Sequence, residues 1–198
     1  MNISENIGKA KEIGLWVHSK TSDITVPSDD RTRVGVALLQ HALDIADSIL
    51  LQFENNLPGP AFTLFRSLHE AYVRGVWLLE HASEDGVVKF IEGKPPGFKN
   101  MLNDIGSEPE TGGQFIAGMS ELNKDDFHGL THGGMEHVIR RVTASAIEPN
   151  YPEEEILQLI KARNQYYMLC ACFLLQIIDD EKGMSELLEK QKEWSSAL

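Results

Sequence analysis

The chain has 198 residues, 42% of them hydrophobic, which is enough for one domain with a sizeable core. Lys and Arg number 18 against 30 Asp and Glu, a formal charge of −12. Such a field repels phosphate backbones and anionic membrane surfaces, so nucleic acid is a disfavoured partner.

The start, MNISENIGKAKEIGLWVHSK, lacks the basic end, apolar centre and small-residue cleavage site of a signal peptide. The longest apolar run, Tyr166 to Ile178, is short of the roughly 20 residues a membrane span needs. Cys170 and Cys172, two apart in that run, point in different directions on a helix, so a mutual disulfide or shared metal is not expected. These features give a cytoplasmic address with no membrane contact.

Helical period dominates and no strand is predicted. A first helix is expected over 5–19, and 20–30 reads as a loop. A long helix follows over 32–55, with Val36, Leu39, Leu43, Ala46, Leu50 and Phe53 on its apolar side. Leu57-Pro58-Gly59-Pro60 ends it and opens the next, over 60–82, so the two are antiparallel neighbours. Short helices are predicted over 83–92, 98–105 and 114–122, with Gly- and Pro-rich breaks between them; 93–113 is a lid or a plain loop. A helix carrying His128 to His132 comes next, and beyond Gly133-Gly134 the pattern is helical again to about 146. After the rigid Pro149-Asn150-Tyr151-Pro152 connector a third long helix covers 153–180, with three glutamates in its first turn. Residues 183–198 form a helical appendage. The expectation is an all-α helical bundle of three long helices and several short ones, in a single domain over 1–198, with 1–30 as an N-terminal helix and loop.

The helix Pro60–His81 is apolar on nearly every side, yet Arg66, Glu70 and Arg74 stand on it at i, i+4 and i+8. Charges on a buried helix must pair, bind something, or go poorly solvated. The plainer account is an ion-pair ladder; the functional one is an anion pocket with two guanidinium forks and Glu70 orienting them. His128 and His132, four apart, share a helix face and are weak metal candidates, since no carboxylate stands at an established spacing. The plainer account has Gly133 ending the helix and His132 meeting the last carbonyls. His137, Arg140 and Arg141 follow. His41, Asp44 and Asp47 or Ser48 form a polar stripe on helix 32–55, read as solvated face or interhelical contact. Arg74 and His81 fit the longest spacing of an Arg-x(4–6)-His ribonuclease motif. No G-x-S-x-G and no Gly-rich phosphate loop occurs.

The residues LPGPAFTLFRSLHEAYVRGVWLLEH and DDFHGLTHGGMEHVIRRVTASAIEPNYPEEEI resemble an uncharacterised bacterial all-helical family, over roughly Pro58 to Ile156. In that family an Arg-x-x-x-Glu-Ala-x-x-Arg-Gly-x-Trp helix precedes a Thr-His-Gly-Gly turn, and a distant kinship with abortive-infection and HEPN-type helical domains is suggested. The resemblance carries over Arg66, Glu70, Arg74, Trp77, Thr131, His132, Gly133, Arg140 and Arg141. It implies no activity, only that the arginine–glutamate helix and the Thr-His-Gly-Gly turn share a neighbourhood. The expectation is a binding or interaction module without a cofactor, holding a small anionic ligand near Arg66, Glu70, Arg74, His132, Arg140 and Arg141. The alternatives are a metal-dependent hydrolase on His128 and His132, or a divergent HEPN-like ribonuclease. A homo-oligomer is expected because helix 60–82 and the Tyr166–Ile178 run need apolar partners on several sides.

Overall fold

The structure is a computed structural model and describes residues 2–106, 112–122 and 126–195; the side chains of 120–128 also lie outside the described residues. Part of the 93–113 segment therefore falls outside them.

Helix α1 (Ile3–Thr21) starts at a capping box: Asn2 Oδ1 accepts from the Glu5 amide at 3.0 Å, and Glu5 Oε2 from the Asn2 amide at 2.9 Å. Asp29 caps α2 (Asp30–Glu54) through the Thr32 amide at 2.9 Å. The end of α2 is a Schellman motif. Asn56 takes φ +57°, Leu57 donates to Gln52 O at 2.8 Å, and Asn56 donates to Phe53 O at 3.0 Å. That turn feeds directly into α3 (Pro58–Val76), whose two prolines sit where a helix amide has no partner to lose.

α2 and α3 form the most extensive helix pair, and glycines set their distance. A Cβ on Gly75 would lie 3.0 Å from Leu39 Cδ2 and 3.2 Å from Gly35 O. The last turn of α3 widens into a π turn, Trp77–His81, in which the Ala82 amide reaches back to Trp77 O at 2.8 Å. Arg31 ties it down, donating from Nη1 to Leu78 O at 2.9 Å and Ala82 O at 2.6 Å.

Short helices follow: α4 (Glu84–Ile91), α5 (Phe98–Ile105), α6 (Gly113–Leu122), α7 (Asp126–Thr131) and α8 (Met135–Ile139). Then come α9 (Glu153–Ile177) and α10 (Glu181–Glu193). The fold is all-α. Besides the long helices α2, α3 and α9, α1 carries part of the core: it packs along α9 and buries Ala10, Ile13 and Val17. α10 folds back on α9 and buries Leu187 and Trp194, whose ring meets the edge of Trp16.

One predicted helix is shorter than its pattern. α8 stops at Ile139, and the chain to Asn150 makes a small hairpin around an isolated antiparallel bridge, Val142–Ile147. Thr143 explains the change: its Oγ1 accepts from the Ala146 amide at 3.0 Å and offers the backbone a local alternative to the helix.

The apolar sides of α3 and α9 that prompted the expectation of an oligomer are covered within the chain. Tyr72 and Phe65 both meet the Tyr166 ring, with centroids 5.3 and 5.8 Å apart. Among the described residues, α2 is the one helix long and apolar enough to cross a membrane, and half of its most apolar stretch is buried against the rest of the chain.

Candidate functional site

A groove of about 510 Å³ opens where the α2–α3 turn meets α8 and the connector before α9. Gln52 and Leu64 form part of its wall, with Gly59, Pro60 and Thr63 from the first turns of α3. His137, Arg141 and Tyr151 close the other side.

Hydrogen bonds fix this side of the groove. Leu130 O, one of the carbonyls left open at the end of α7, lies 2.6 Å from His137 Nε2 and accepts from Thr63 Oγ1 at 3.2 Å. A carbonyl can only accept, so Nε2 carries the imidazole proton and Nδ1 accepts from the Tyr151 hydroxyl at 2.7 Å. Gly59 leaves room for that hydroxyl, since a Cβ there would come within 2.9 Å of it. The Tyr151 ring stacks on Phe62 with centroids 5.3 Å apart. Burial pushes the Tyr151 hydroxyl above its usual range, while the nearby Arg141 and Arg140 guanidiniums pull it back.

The α7 end was expected to be capped by His132. Gly133 does end it, with φ +71°, and the Gly134 amide closes on Gly129 O at 2.6 Å. His137 reaches one of the last carbonyls, Leu130 O, and His132 is exposed. The α3 helix and the Thr-His-Gly-Gly turn do share a neighbourhood, through Thr63 and Leu130.

The two arginines of the turn differ. Arg140 forks onto Glu155 through Nε at 2.7 Å and Nη2 at 3.2 Å, and donates to Glu136 O. It is a brace between α8 and α9. Arg141 is exposed, lines the groove, and pairs with no carboxylate among the described residues.

Arg66, Glu70 and Arg74 form a half-exposed ladder on α3. Arg66 Nε and Arg74 Nη2 each donate to one Glu70 oxygen at 2.9 Å. The buried polar residue of α3 is its neighbour His69, whose Nδ1 lies in hydrogen-bond contact with the Tyr166 hydroxyl at 2.6 Å. Burial pushes His69 down to about 4.

The sequence reading missed the most deeply buried charge. Arg163 on α9 is 0% exposed. It donates to Ala46 O at 3.0 Å, Ala10 O at 3.2 Å, Asn164 Oδ1 at 2.9 Å and Asp47 Oδ1 at 2.7 Å, tying α1, α2 and α9 together. Asp47 Oδ2 also accepts from the Tyr167 hydroxyl at 2.8 Å and lies 2.9 Å from His18 Nε2. Of the α2 polar stripe, Asp47 is thus the interhelical contact. The signal was available: Arg163 stands four residues from both Leu159 and Tyr167 on the buried face of α9. A second, smaller pocket of about 240 Å³ opens over this network beside Gly14 and His18.

Among the described residues no three His, Cys, Asp or Glu side chains gather in a way that could hold a metal. The His128 side chain lies outside the described residues. Of the Arg74–His81 pair, Arg74 is taken up by Glu70 and His81 belongs to the π turn.

No curated protein and no solved structure matches the chain. A family model does match, over residues 39–198, a span that holds every residue of the groove together with Asp47 and Arg163 but leaves α1 outside. The chain belongs to that family, a family of unknown function (DUF6988).

Proposed function

We propose that this domain is a binding module without catalysis of its own, and that its ligand is a small anion with an apolar or aromatic body, held in the groove between Gln52, Thr63, Arg141 and Tyr151. The observation that carries the reading is the contrast among the arginines. Arg66 and Arg74 are offset by Glu70, and Arg140 by Glu155, whereas Arg141 faces the groove without a carboxylate among the described residues. A guanidinium that meets the Tyr151 hydroxyl but no carboxylate, beside a largely apolar wall, suits a carboxylate or phosphate carried on a hydrophobic group.

His137 is a support here and not a base. Both of its ring nitrogens are engaged, one at a backbone carbonyl and one by Tyr151. The reading keeps the cytoplasm as the address, since both cysteines are free thiols and burial raises both above the usual thiol range.

Calorimetric titration with benzoate and with neutral benzamide tests this. Benzoate should bind the wild type and lose about 10-fold or more in Arg141→Gln, with Arg66→Gln unchanged. Equal affinity for benzoate and benzamide, or loss in Arg66→Gln alone, contradicts it.

A further inference from the structure

Single apolar side chains on a surface need no explanation, but five large ones gather in residues 135–147. Met135, Val138 and Ile139 lie on α8, and Val142 continues their side because its amide still donates to Val138 O at 3.0 Å. Ile147 faces Val142 across the bridge. Ile139 is 65% exposed and Ile147 82%.

The backbone of this hairpin is open too. The Thr143 amide bonds to Ala146 O at 3.0 Å and the Glu148 amide to Arg141 O at 2.8 Å. Those bonds flank Val142 and Ile147, which makes the two a non-hydrogen-bonded pair. Their side chains are close on one face, and the N–H and C=O of Ile147 point outward from the ribbon. An apolar edge of this kind is a template for another strand.

We propose that a second copy of this chain docks here, in a two-fold pair that sets one Ile147 edge antiparallel to the other and covers Met135, Ile139 and Val142. Symmetry favours this occupant. Around a two-fold axis an edge meets itself, and two antiparallel edges exchange N–H···O=C bonds with no further matching required.

Area and charge support it. The five side chains present on the order of 500 Å² of apolar surface, a size that commonly marks a contact site. A standard interface covers about 800 Å² on each partner, and Thr143 and Glu148 beside the patch extend it as a polar rim. In a chain of charge −12, residues 135–147 hold one acid, Glu136, against Arg140 and Arg141. Two copies meet least repulsion there. Arg141 lends its charge to both sites, but the pair needs no ligand in the groove, and its test reads association rather than ligand binding.

Sedimentation velocity over a range of concentrations, paired with amide exchange, tests it on the full chain. The expected result is a species of twice 22.1 kDa at high concentration, with the Ile147 amide slowed as it forms. Ile139→Lys with Ile147→Lys should weaken the pair at least about 30-fold while leaving helical content and melting unchanged. Leu188→Lys, on the exposed side of α10, should leave it intact. Ile147→Glu alone serves where the double variant folds poorly. A chain that stays monomeric at its solubility limit overturns the proposal, as does a dimer indifferent to these variants or one in which the Ile147 amide exchanges freely. A monomer that binds lipid vesicles through Ile139 and Ile147 overturns it in favour of another occupant.

Discussion

Arg163 Nη2 donates to Asp47 Oδ1 across 2.7 Å, joining a guanidinium with no solvent exposure to a carboxylate that is partly open to water. Burial pulls the guanidinium below its usual range, and Tyr167 and Asp47 oppose that pull. The pair closes the junction of α1, α2 and α9, and its two halves are not equivalent.

Asp47→Asn leaves the buried charge of Arg163 without a counter-ion, at a cost of about 3 kcal/mol. Arg163→Met removes the charge itself and leaves Asp47 to water, Tyr167 and His18, so it should cost less. Denaturant unfolding of the two variants reads the order directly. A larger loss in Arg163→Met would mean that its hydrogen bonds to Ala10 O and Ala46 O outweigh the charge pairing.

His69 makes the fold sensitive to acid. It is neutral and buried, with a value near 4 against 6.5 when unfolded. Between those values the unfolded chain binds the extra proton, so stability is complete above about pH 6.5 and falls as the pH drops toward 4. The loss over that window is about 3 kcal/mol. His69→Gln, which keeps a polar partner for the Tyr166 hydroxyl, should flatten this part of the stability–pH curve; an unchanged slope would place the titrating group elsewhere.

Two helical glycines should respond oppositely to alanine. At Gly75 the added Cβ meets the Gly35 carbonyl and Leu39, and an overpacked contact of this kind costs about 1–3 kcal/mol. At Gly14 the nearest atoms are 3.7 Å away, an ordinary contact, so Gly14→Ala should gain about 0.5–1 kcal/mol from helix propensity. Thermal melts of the two variants check the sign; a destabilised Gly14→Ala would show that the space beside Arg163 and Asp47 has to stay open.

Much of this fold could be read along the chain. Proline and glycine at 57–60 marked the α2–α3 turn, and the apolar period placed α2, α3 and α9 within a few residues of their bounds. α8 was overextended because an apolar pattern cannot register that Thr143 satisfies the backbone locally. The site was legible in part. The motif at 128–141 did hold groove residues, but Gln52, Thr63 and Tyr151 come from distant elements and carry no spacing that joins them. The Arg66–Glu70–Arg74 stripe drew attention because it interrupts an apolar helix, yet a stripe of that width can sit at the solvent edge of a bundle. An arginine on α9 with Lys161 and Asn164 beside it carries no spacing that tells an enclosed charge from a solvated one; the enclosure comes from Ala10 O, Ala46 O and Asp47 on other helices.

Mapping where benzoate lands on the chain separates the Arg141 groove from the Arg66–Glu70–Arg74 ladder. In a nitrogen-15 amide spectrum of the labelled chain, benzoate should shift Gln52, Thr63, Leu64, Arg141 and Tyr151, and Arg141→Gln should abolish those shifts without altering the rest of the spectrum. Shifts centred on Arg66, Glu70 and Arg74, or a groove that stays silent at saturating benzoate, would contradict the account.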